Sequence, residues 1–324
     1  MNIKPLLPLA LAASLLSACG DDALTDQPDN ALRLQSVSVA DDALAGTTRA
    51  TLGATAPISA IGIYATTSAH AALENNAQSV FSKKGGTWSC DTPPEIASQE
   101  TAPDYIYAFS PETSKVTHSA TGAHTIPVTV GNDNFSATLQ TDYLYATPQQ
   151  AYAGKRTVSF EMLHALAKVS FKILKSQYVS EPMTLTKVEL LSPTNRIQTG
   201  TGTMNIGTGK LTSLTDASLL TLTGSTVLKK ETDADVDTPN VTCLVAPMPG
   251  EENALSFRLT VAVGAADSAA TLVFETGAVK TAQQWKAGMH YVYKIIVSKM
   301  GGGLSGVQMD DWQNDASQDT SIGI

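Results

Sequence analysis

Apolar and polar residues alternate in many short segments of the chain, and this period of two predicts β-strands. Clusters of Gly, Pro, Asn and Asp separate these segments, as in the DTPP, SPTN and MPGEEN stretches. One short segment, residues 161–168, gives a helical indication. The pattern therefore predicts an all-β protein, most simply β-sandwiches of antiparallel sheets. The clearest predicted strands are residues 60–65, 105–110, 157–162, 167–173, 255–263 and 291–297.

The segment before the first clear strand has its own pattern. Residues 31–39 (ALRLQSVSV) place Leu32 and Leu34 in one phase and Val37 and Val39 in the other. A change of phase inside a strand is typical of a β-bulge, so we predict a first strand with one bulge. A loop rich in small residues, 41–57, follows it.

Chain length and local composition predict two domains. At roughly 150 residues per domain, 324 residues are enough for two. The polar stretch SQYVSEP, residues 176–182, is the best candidate for a boundary. We therefore predict one domain over residues 50–178 and a second over 179–324.

Composition narrows the function classes. The chain is rich in Thr and only 16% of its residues are charged, which favours pleated sheet. A net charge of −9, with only five Arg, argues against a nucleic-acid partner. No nucleotide-binding, nucleophile-elbow or zinc-protease motif is present, and the five His are scattered. We therefore predict no enzyme, no cofactor and no catalytic residue, although a Ser/His/Asp triad assembled by folding stays open.

The first nineteen residues have the features of an export signal. One Lys precedes an apolar run, residues 6–16, that is too short to cross a bilayer. The run ends in Leu-Ser-Ala-Cys at 16–19, which resembles a bacterial lipobox. We predict a lipoprotein signal peptide at 1–18 and acylation of the Cys19 thiol as a lipid anchor. The alternative is an ordinary signal peptide with a chance Cys.

Two further cysteines leave an alternative open. An exported protein reaches an oxidising compartment, where Cys90 and Cys243 could form a disulfide. Cys243, however, lies in the apolar segment VTCLVA, and Cys90 in a loop-like segment. Two buried or free thiols are therefore at least as good an expectation as one bridge.

Three weaker patterns each have a simpler explanation than a binding site. The run DADVD at 233–237 starts like a calcium loop, but Thr238 and Leu244 occupy the positions that need Gly and Glu, so a solvated acidic turn is expected. His164 is expected to be a hydrogen-bonded, half-buried residue. The tryptophans could line a sugar-binding platform but are expected to pack on cores; they are Trp88, Trp285 and Trp312.

Several short motifs follow one another in an order that is similar to a known family. They are the lipobox at 16–19, TTRA at 47–50 followed by IGIYA at 61–65, YLYATP at 143–148, Phe160 with HALAKVSF at 164–171, CLVAPMP at 243–249, WKAG at 285–288 with YVY at 291–293, and VQMDDW at 307–312. Each motif is short, but together and in this order they resemble the fimbrillin-like proteins of the Bacteroidales, the subunits of surface fimbriae.

The resemblance implies a fold and a route of maturation. The fold would be two tandem transthyretin-like β-sandwich domains. The subunit would be exported by the lipoprotein machinery to the surface of the outer membrane, with residues 19–49 as a lipidated propeptide that includes the first strand. An arginine-specific protease would then cut between Arg49 and Ala50. Exposed loops of small residues are common cleavage sites. The alternative is that Arg49 is an ordinary surface residue.

The resemblance also implies that a strand from another subunit fills the groove that cleavage opens. The donor would be residues 304–312, with Leu304, Val307, Met309 and Trp312 as its apolar positions and the glycines at 301–303 as a flexible hinge. Val307 and Met309 share one phase, Asp310-Asp311 interrupts the pattern, and Trp312 falls out of phase with Val307 and Met309. The alternative is that this segment is the domain's own last strand followed by a polar tail.

The expected function is therefore a structural subunit of a cell-surface fimbria that polymerises by protease-triggered strand exchange. Its partners would be other fimbrial subunits, the export machinery, the protease and, through lipid, the outer membrane; host or bacterial surface ligands are further candidates. Two alternatives remain. The chain could be a permanently lipid-bound anchor, or an adhesive, glycan-binding tip subunit.

Overall fold

A computed structural model describes residues 30–40, 58–248, 255–264, 269–277 and 285–298, together with the backbone of 301–309. Within these residues the protein consists of β-strands and one short 3-10 helix, Ala137–Leu139. The all-β prediction is confirmed. Among the described residues no helix is long and apolar enough to cross a membrane.

The strands of the described region are numbered in chain order. They are β1 (Arg33–Val39), β2 (Ala60–Thr66), β3 (Gln78–Lys84), β4 (Thr87–Ser89), β5 (Asp104–Ser110), β6 (Thr125–Val130), β7 (Leu144–Tyr145), β8 (Gln149–Ala151), β9 (Thr157–His164), β10 (Ala167–Lys175), β11 (Met183–Leu191), β12 (Ile197–Asn205), β13 (Leu211–Thr212), β14 (Thr215–Ala217), β15 (Leu219–Val227), β16 (Val241–Val245), β17 (Ser256–Val263), β18 (Ala270–Glu275), β19 (His290–Ser298) and β20 (Gly301–Met309).

The alternating segments form strands where the sequence predicted them, as β2, β5, β9, β10, β17 and β19. The bulge in the first strand is also confirmed, since the pairing register of β1 shifts between Leu34 and Ser36. The helical indication at 161–168 is wrong. Strand β9 continues to His164 and β10 begins at Ala167, because alternating burial against a core outweighs a weak local helical preference.

An eight-stranded sheet forms the N-terminal part of the fold. Its strand order is β1-β9-β7-β5-β2-β3-β4, with β8 beside β5. The sheet curves until its two end strands, β1 and β4, approach each other. The apolar side chains on its inner side form one core, which includes Leu32, Ile61, Ile106, Phe160 and Met162. Strands β3 and β9 bury alternate residues, as expected for strands with one face on a core, whereas β2 and β5 are buried on both faces.

A second core lies between this sheet and a ribbon of β6, β12, β13 and β14. Strand β6 pairs antiparallel with β12 and buries Ile126, Val128 and Val130. From the sheet, Tyr64, Tyr107 and Phe109 complete the core. Because β6 precedes β10 and β12 follows it, this ribbon joins the two halves of the chain.

Two four-stranded sheets share the third and largest core. Their orders are β16-β10-β19-β20 and β15-β11-β17-β18. Phe171, Phe257 and Tyr293 meet at its centre, with the Phe171 and Phe257 rings edge-to-face at a centroid distance of 5.0 Å. Such aromatic contacts add stability beyond the area they bury.

The sheets divide earlier along the chain than the sequence suggested. Strand β10 ends at Lys175, before the predicted boundary at 178/179, yet it pairs with β16 and β19 of the C-terminal sheets. The separation of the sheets therefore falls between β9 and β10, and the polar stretch at 176–182 connects β10 to β11. The domain boundary at 178/179 stays a prediction. The assignment of two transthyretin-like domains stays a prediction.

Cys90 and Cys243 are both buried, and they are not bonded to each other. Cys90 belongs to the core of the eight-stranded sheet and Cys243 to the core of the two C-terminal sheets. The disulfide alternative is therefore excluded, because the side chains point into different cores.

Candidate functional site at the sheet edges

The first strand occupies an edge of the eight-stranded sheet. Strand β1 runs parallel to β9, with Leu34 opposite Val158, Val37 opposite Phe160 and Val39 opposite Met162. In the strand order it is the terminal member, so among the described strands β9 is its one ladder partner. An edge strand can leave a sheet without breaking any ladder except its own.

Strand β1 and its preceding residues nevertheless contribute much to the core. The side chains of Leu32, Leu34 and Val39 are 0%, 6% and 4% exposed. Full burial of such a side chain is worth about 1.5–3 kcal/mol, so the three together contribute roughly 4–9 kcal/mol. This range is comparable with the net stability of a whole domain, about 5–15 kcal/mol. Loss of β1 would therefore remove a large part of the stability of this sheet.

Backbone hydrogen bonds close the sheet around β1. The Leu32 amide donates to the Pro94 carbonyl at 2.9 Å, and the Ile96 amide donates to the Asn30 carbonyl at 2.7 Å. At the other end the Ala40 amide donates to the Met162 carbonyl at 3.0 Å. The segment thus bridges from the strand-like stretch at 94–96 to β9. Loss of β1 would leave these groups and the inner edge of β9 without partners.

The covalent link from β1 to the rest of the fold runs through residues 41–57, which the sequence predicts to be a loop. This segment contains Arg49 and Ala50 and, like Cys19, lies outside the described residues. The described chain ends at Ala40 and resumes at Ile58, before β2. Any cut in this loop would leave β1 held by hydrogen bonds and apolar contacts alone.

The C-terminal strand β20 occupies a second edge. It pairs antiparallel with β19, with Leu304 opposite Ile295, Val307 opposite Tyr293 and Met309 opposite Tyr291. Those three β19 residues are buried in the C-terminal core, and residues directly opposite each other share a face of the sheet. In this structure the backbone of Leu304, Val307 and Met309 therefore pairs with a strand of the same subunit; Trp312 lies outside the described residues.

The triple glycine was predicted to be a flexible hinge, and this prediction is wrong for the structure. Residues 301–303 pair with Ser298, Val297 and Ile296 at the start of β20. Ladder hydrogen bonds involve only the backbone, so a partner strand can hold glycines that have little strand preference of their own.

The tryptophans and His164, the weaker candidate sites, pack in the interior of the protein. Trp285 is 1% exposed and its Nε1 donates to the Tyr293 hydroxyl at 3.0 Å; Trp88 is 7% exposed. Neither can form a surface sugar platform. Trp312 lies outside the described residues. His164 is almost fully buried, not half-buried as expected, and its Nδ1 lies 2.7 Å from Asp142 Oδ2.

The acidic run at 233–237 forms a turn in which Asp233 Oδ2 accepts a hydrogen bond from the Lys230 amide at 2.8 Å. Across the described ranges, no group of three or more His, Cys, Asp and Glu side chains is placed to hold a metal ion.

Sequence reasoning missed a cluster of three histidines. His70, His118 and His124 lie far enough apart in the chain to seem scattered, yet their rings come together beside β2 and β5. The His118 and His124 rings stack with centroids 5.1 Å apart, and those of His70 and His124 are 6.4 Å apart. No local sequence motif predicts this cluster, because the three histidines become neighbours only when distant segments of the chain pack together.

These features define an all-β protein in which the first and last described strands both occupy sheet edges. A family model described as fimbrillin-like matches residues 48–312. The match covers most of the chain, so the protein belongs to the fimbrillin-like family. The resemblance found in the sequence motifs is thereby confirmed. No curated protein sequence matches the chain significantly.

Solved structures share the fold at low sequence identity. A fimbrial protein from Bacteroides vulgatus is 14% identical and gives a TM-score of 0.57 over 87% of this chain and 99% of its own. Candidate cell adhesion proteins from Bacteroides ovatus and Bacteroides uniformis are 18% and 21% identical, with TM-scores of 0.53 and 0.51. They cover 87% and 88% of this chain and 97% and 100% of their own lengths. At this identity the likeness concerns the fold.

Proposed function

We propose that this protein is a structural subunit of a cell-surface fimbria and that it polymerises by strand exchange after cleavage at Arg49. Membership of the fimbrillin-like family supports a role in fimbriae at the cell surface. The single observation that carries the mechanism is the position of β1, an edge strand with a deeply buried apolar face and one covalent link to the fold.

Cleavage between Arg49 and Ala50 would turn this strand into a separable ligand. Residues 1–49 would then dissociate at a rate set by the burial of Leu32, Leu34 and Val39. The vacated groove exposes the unpaired edge of β9 and an apolar slot, which is the arrangement that strand addition satisfies. Ladder hydrogen bonds give affinity, and alternate side chains give the fit.

The incoming strand is proposed to be β20 of a neighbouring subunit, extended to Trp312. Strand β20 lies at the end of its sheet, so it can leave β19 without disrupting the inner strands. Its apolar positions Leu304, Val307 and Met309 already pair opposite core residues, which is the pattern that a groove-filling strand needs. The contact joins unlike surfaces head to tail, so it continues as a filament.

Before cleavage β1 occupies the groove of its own subunit and prevents premature assembly. The lipid on Cys19 would hold this precursor at the outer membrane, and removal of residues 1–49 would release it. The further partners in this scheme are the lipoprotein export machinery, an arginine-specific protease and other fimbrial subunits.

The first test replaces Arg49 with Ala in the native host. We expect the variant to retain its acylated N-terminus and to form no polymer ladder on gels, whereas the wild-type surface protein should begin at Ala50. Arg33→Ala is a matched control, since this exposed arginine of β1 lies outside the loop. Normal ladders from Arg49→Ala would refute processing at this residue, and a wild-type mature protein that begins at Cys19 would instead support the lipid-bound anchor.

The second test concerns the donor. Deletion of residues 304–324 should abolish ladders, while deletion of 313–324 alone should preserve them, because the apolar positions remain. A tip subunit needs no donor, so incorporation that survives the longer deletion would favour that alternative.

A further inference from the structure

His124 is the buried centre of the three-histidine cluster. Its side chain is fully buried between aromatic rings of two strands. The Tyr64 ring of β2 and the Tyr107 ring of β5 both meet it edge-on, at centroid distances of 5.0 Å. His118 covers its face, and His70 approaches from the turn that follows β2.

The hydrogen bonds of His124 fix it in the neutral form. Its Nδ1 accepts from the Ser119 amide at 3.1 Å, so the ring proton of the neutral form resides on Nε2. Nε2 is buried and has no hydrogen-bond partner in the described structure. A second proton would have to enter at Nδ1, where it would break the bond from Ser119 and place a charge among aromatic rings.

The groups that face His124 cannot neutralise such a charge. They are Tyr64 from β2, Tyr107 from β5, His70 from the turn after β2, and His118 from the hairpin of residues 117–125. Tyr105 stacks on His70, and the Tyr64 hydroxyl is 2.9 Å from His118 Nδ1. Among the described residues no carboxylate forms a salt bridge with any of the three imidazoles.

These surroundings make His124 a weaker base than an exposed histidine. Burial, followed by the proximity of His118 and then of His70, lowers the pKa of His124 to about 4. In a solvent-exposed hairpin the same imidazole would have a pKa near 6.5.

The cluster lies at the joint between the eight-stranded sheet and the β6–β12 ribbon. The Ile206 amide, just beyond β12, donates to the His124 carbonyl at 3.0 Å, and β6 begins at the next residue, Thr125. The Thr117 and Thr125 backbones pair with each other and close the hairpin over Tyr64 and Tyr107. Displacement of His124 would therefore loosen this hairpin from the sheet and from the ribbon together.

We propose that the His70–His118–His124 cluster is an acid-sensitive latch, which holds the 117–125 hairpin closed at neutral pH and releases it when the cluster takes up a proton. The His124 imidazole binds a proton more weakly in the closed state than in the open state. Protonation therefore favours opening once the pH falls below about 6.5, the pKa of an exposed imidazole. The closing free energy is complete near neutrality and declines progressively toward pH 4.

Amide hydrogen exchange of the full chain tests the latch. From pH 7 to pH 5, the opening constants reported by the Ser119 and Ile206 amides, corrected for intrinsic exchange, should rise at least about tenfold. The Leu259 amide in β17, far from the cluster, is the internal reference and should change less. Equal protection of the hairpin amides at both pH values would overturn the proposal.

Variants and a direct titration separate the latch from general acid sensitivity. In His124→Phe the extra opening at pH 5 should disappear, because no proton can be taken up at the centre. In His70→Gln/His118→Gln, which retains the buried ring, the rise should become smaller. If His124→Phe does not fold, an NMR titration of the wild-type His124 ring decides: a pKa well below 6.5 supports the latch, and a value near 6.5 refutes it.

Discussion

Leu34 of β1 lies directly opposite Val158 of β9 in a parallel ladder, and both side chains are buried in the same core. The pairing makes the N-terminal segment an integral part of the eight-stranded sheet. Strand β1 also lies at the edge of that sheet, so its departure would break no ladder except its own. The proposed assembly mechanism depends on this combination of deep burial and edge position.

Replacement of Leu32 by Ala should weaken the packing of the N-terminal segment against the eight-stranded sheet. Leu32 is fully buried, so we expect the unprocessed protein to lose about 2–5 kcal/mol of unfolding free energy. Denaturant unfolding measures the loss, and release of the cleaved segment should also become faster. Gln35→Ala, at an exposed position of β1, should stay within about 0.5 kcal/mol of wild type. Equal effects of the two substitutions would contradict the buried role of Leu32.

Gly62 should tolerate no side chain. It lies opposite Phe109 in the β2–β5 ladder, and an added Cβ would clash with the Phe109 ring, which is itself fully buried. We expect Gly62→Ala to cost about 1–3 kcal/mol, because a packed core cannot absorb the overlap. Thermal or denaturant unfolding gives the value. In Gly131→Ala the new Cβ meets no atom within 4 Å, so a similar loss there would argue against the clash.

The two thiols should be inert in the native protein. Burial raises the pKa of Cys243 to about 12, and burial also raises the pKa of Cys90, so neither forms the reactive thiolate at neutral pH. A thiol reagent should therefore label both residues only after denaturation, and a reductant should leave the melting temperature unchanged. Detection of a Cys90–Cys243 bond by peptide mapping would contradict the structure.

His290 should make unfolding sensitive to acid. Its Nε2 lies 2.8 Å from the Ser170 hydroxyl, and burial, followed by Lys168 and Lys172, lowers its pKa to about 3. The unfolded chain takes up a proton near pH 6.5, whereas the folded chain does so only near pH 3, so stability falls as the pH decreases between these values. Between pH 7 and pH 4 the contribution of His290 should be on the order of 3 kcal/mol.

Comparison with His290→Gln isolates this contribution. The variant should show a shallower loss of unfolding free energy over the same pH range, because its side chain does not titrate. Parallel curves for the wild type and the variant would show that His290 is not the responsible group.

Much of the local structure could be predicted from the sequence. Alternation of apolar residues gave the positions of β2, β5, β9, β10, β17 and β19, and the change of phase after Leu34 gave the bulge in β1. The ordered motifs gave the family. The local pattern also misled, as at 161–168 and at the glycines of β20, because partner strands can impose an extended backbone on residues with weak strand preference.

By itself, then, the sequence determined which residues alternate between core and solvent, since that information resides in a period of two residues. Tertiary structure decided which strands are neighbours. It placed β1 beside β9, β10 in the C-terminal sheets, Cys90 and Cys243 in different cores, and His124 between His118 and Tyr107. These relations join residues that are distant in the chain, and they arise because each apolar face is buried only when another segment covers it.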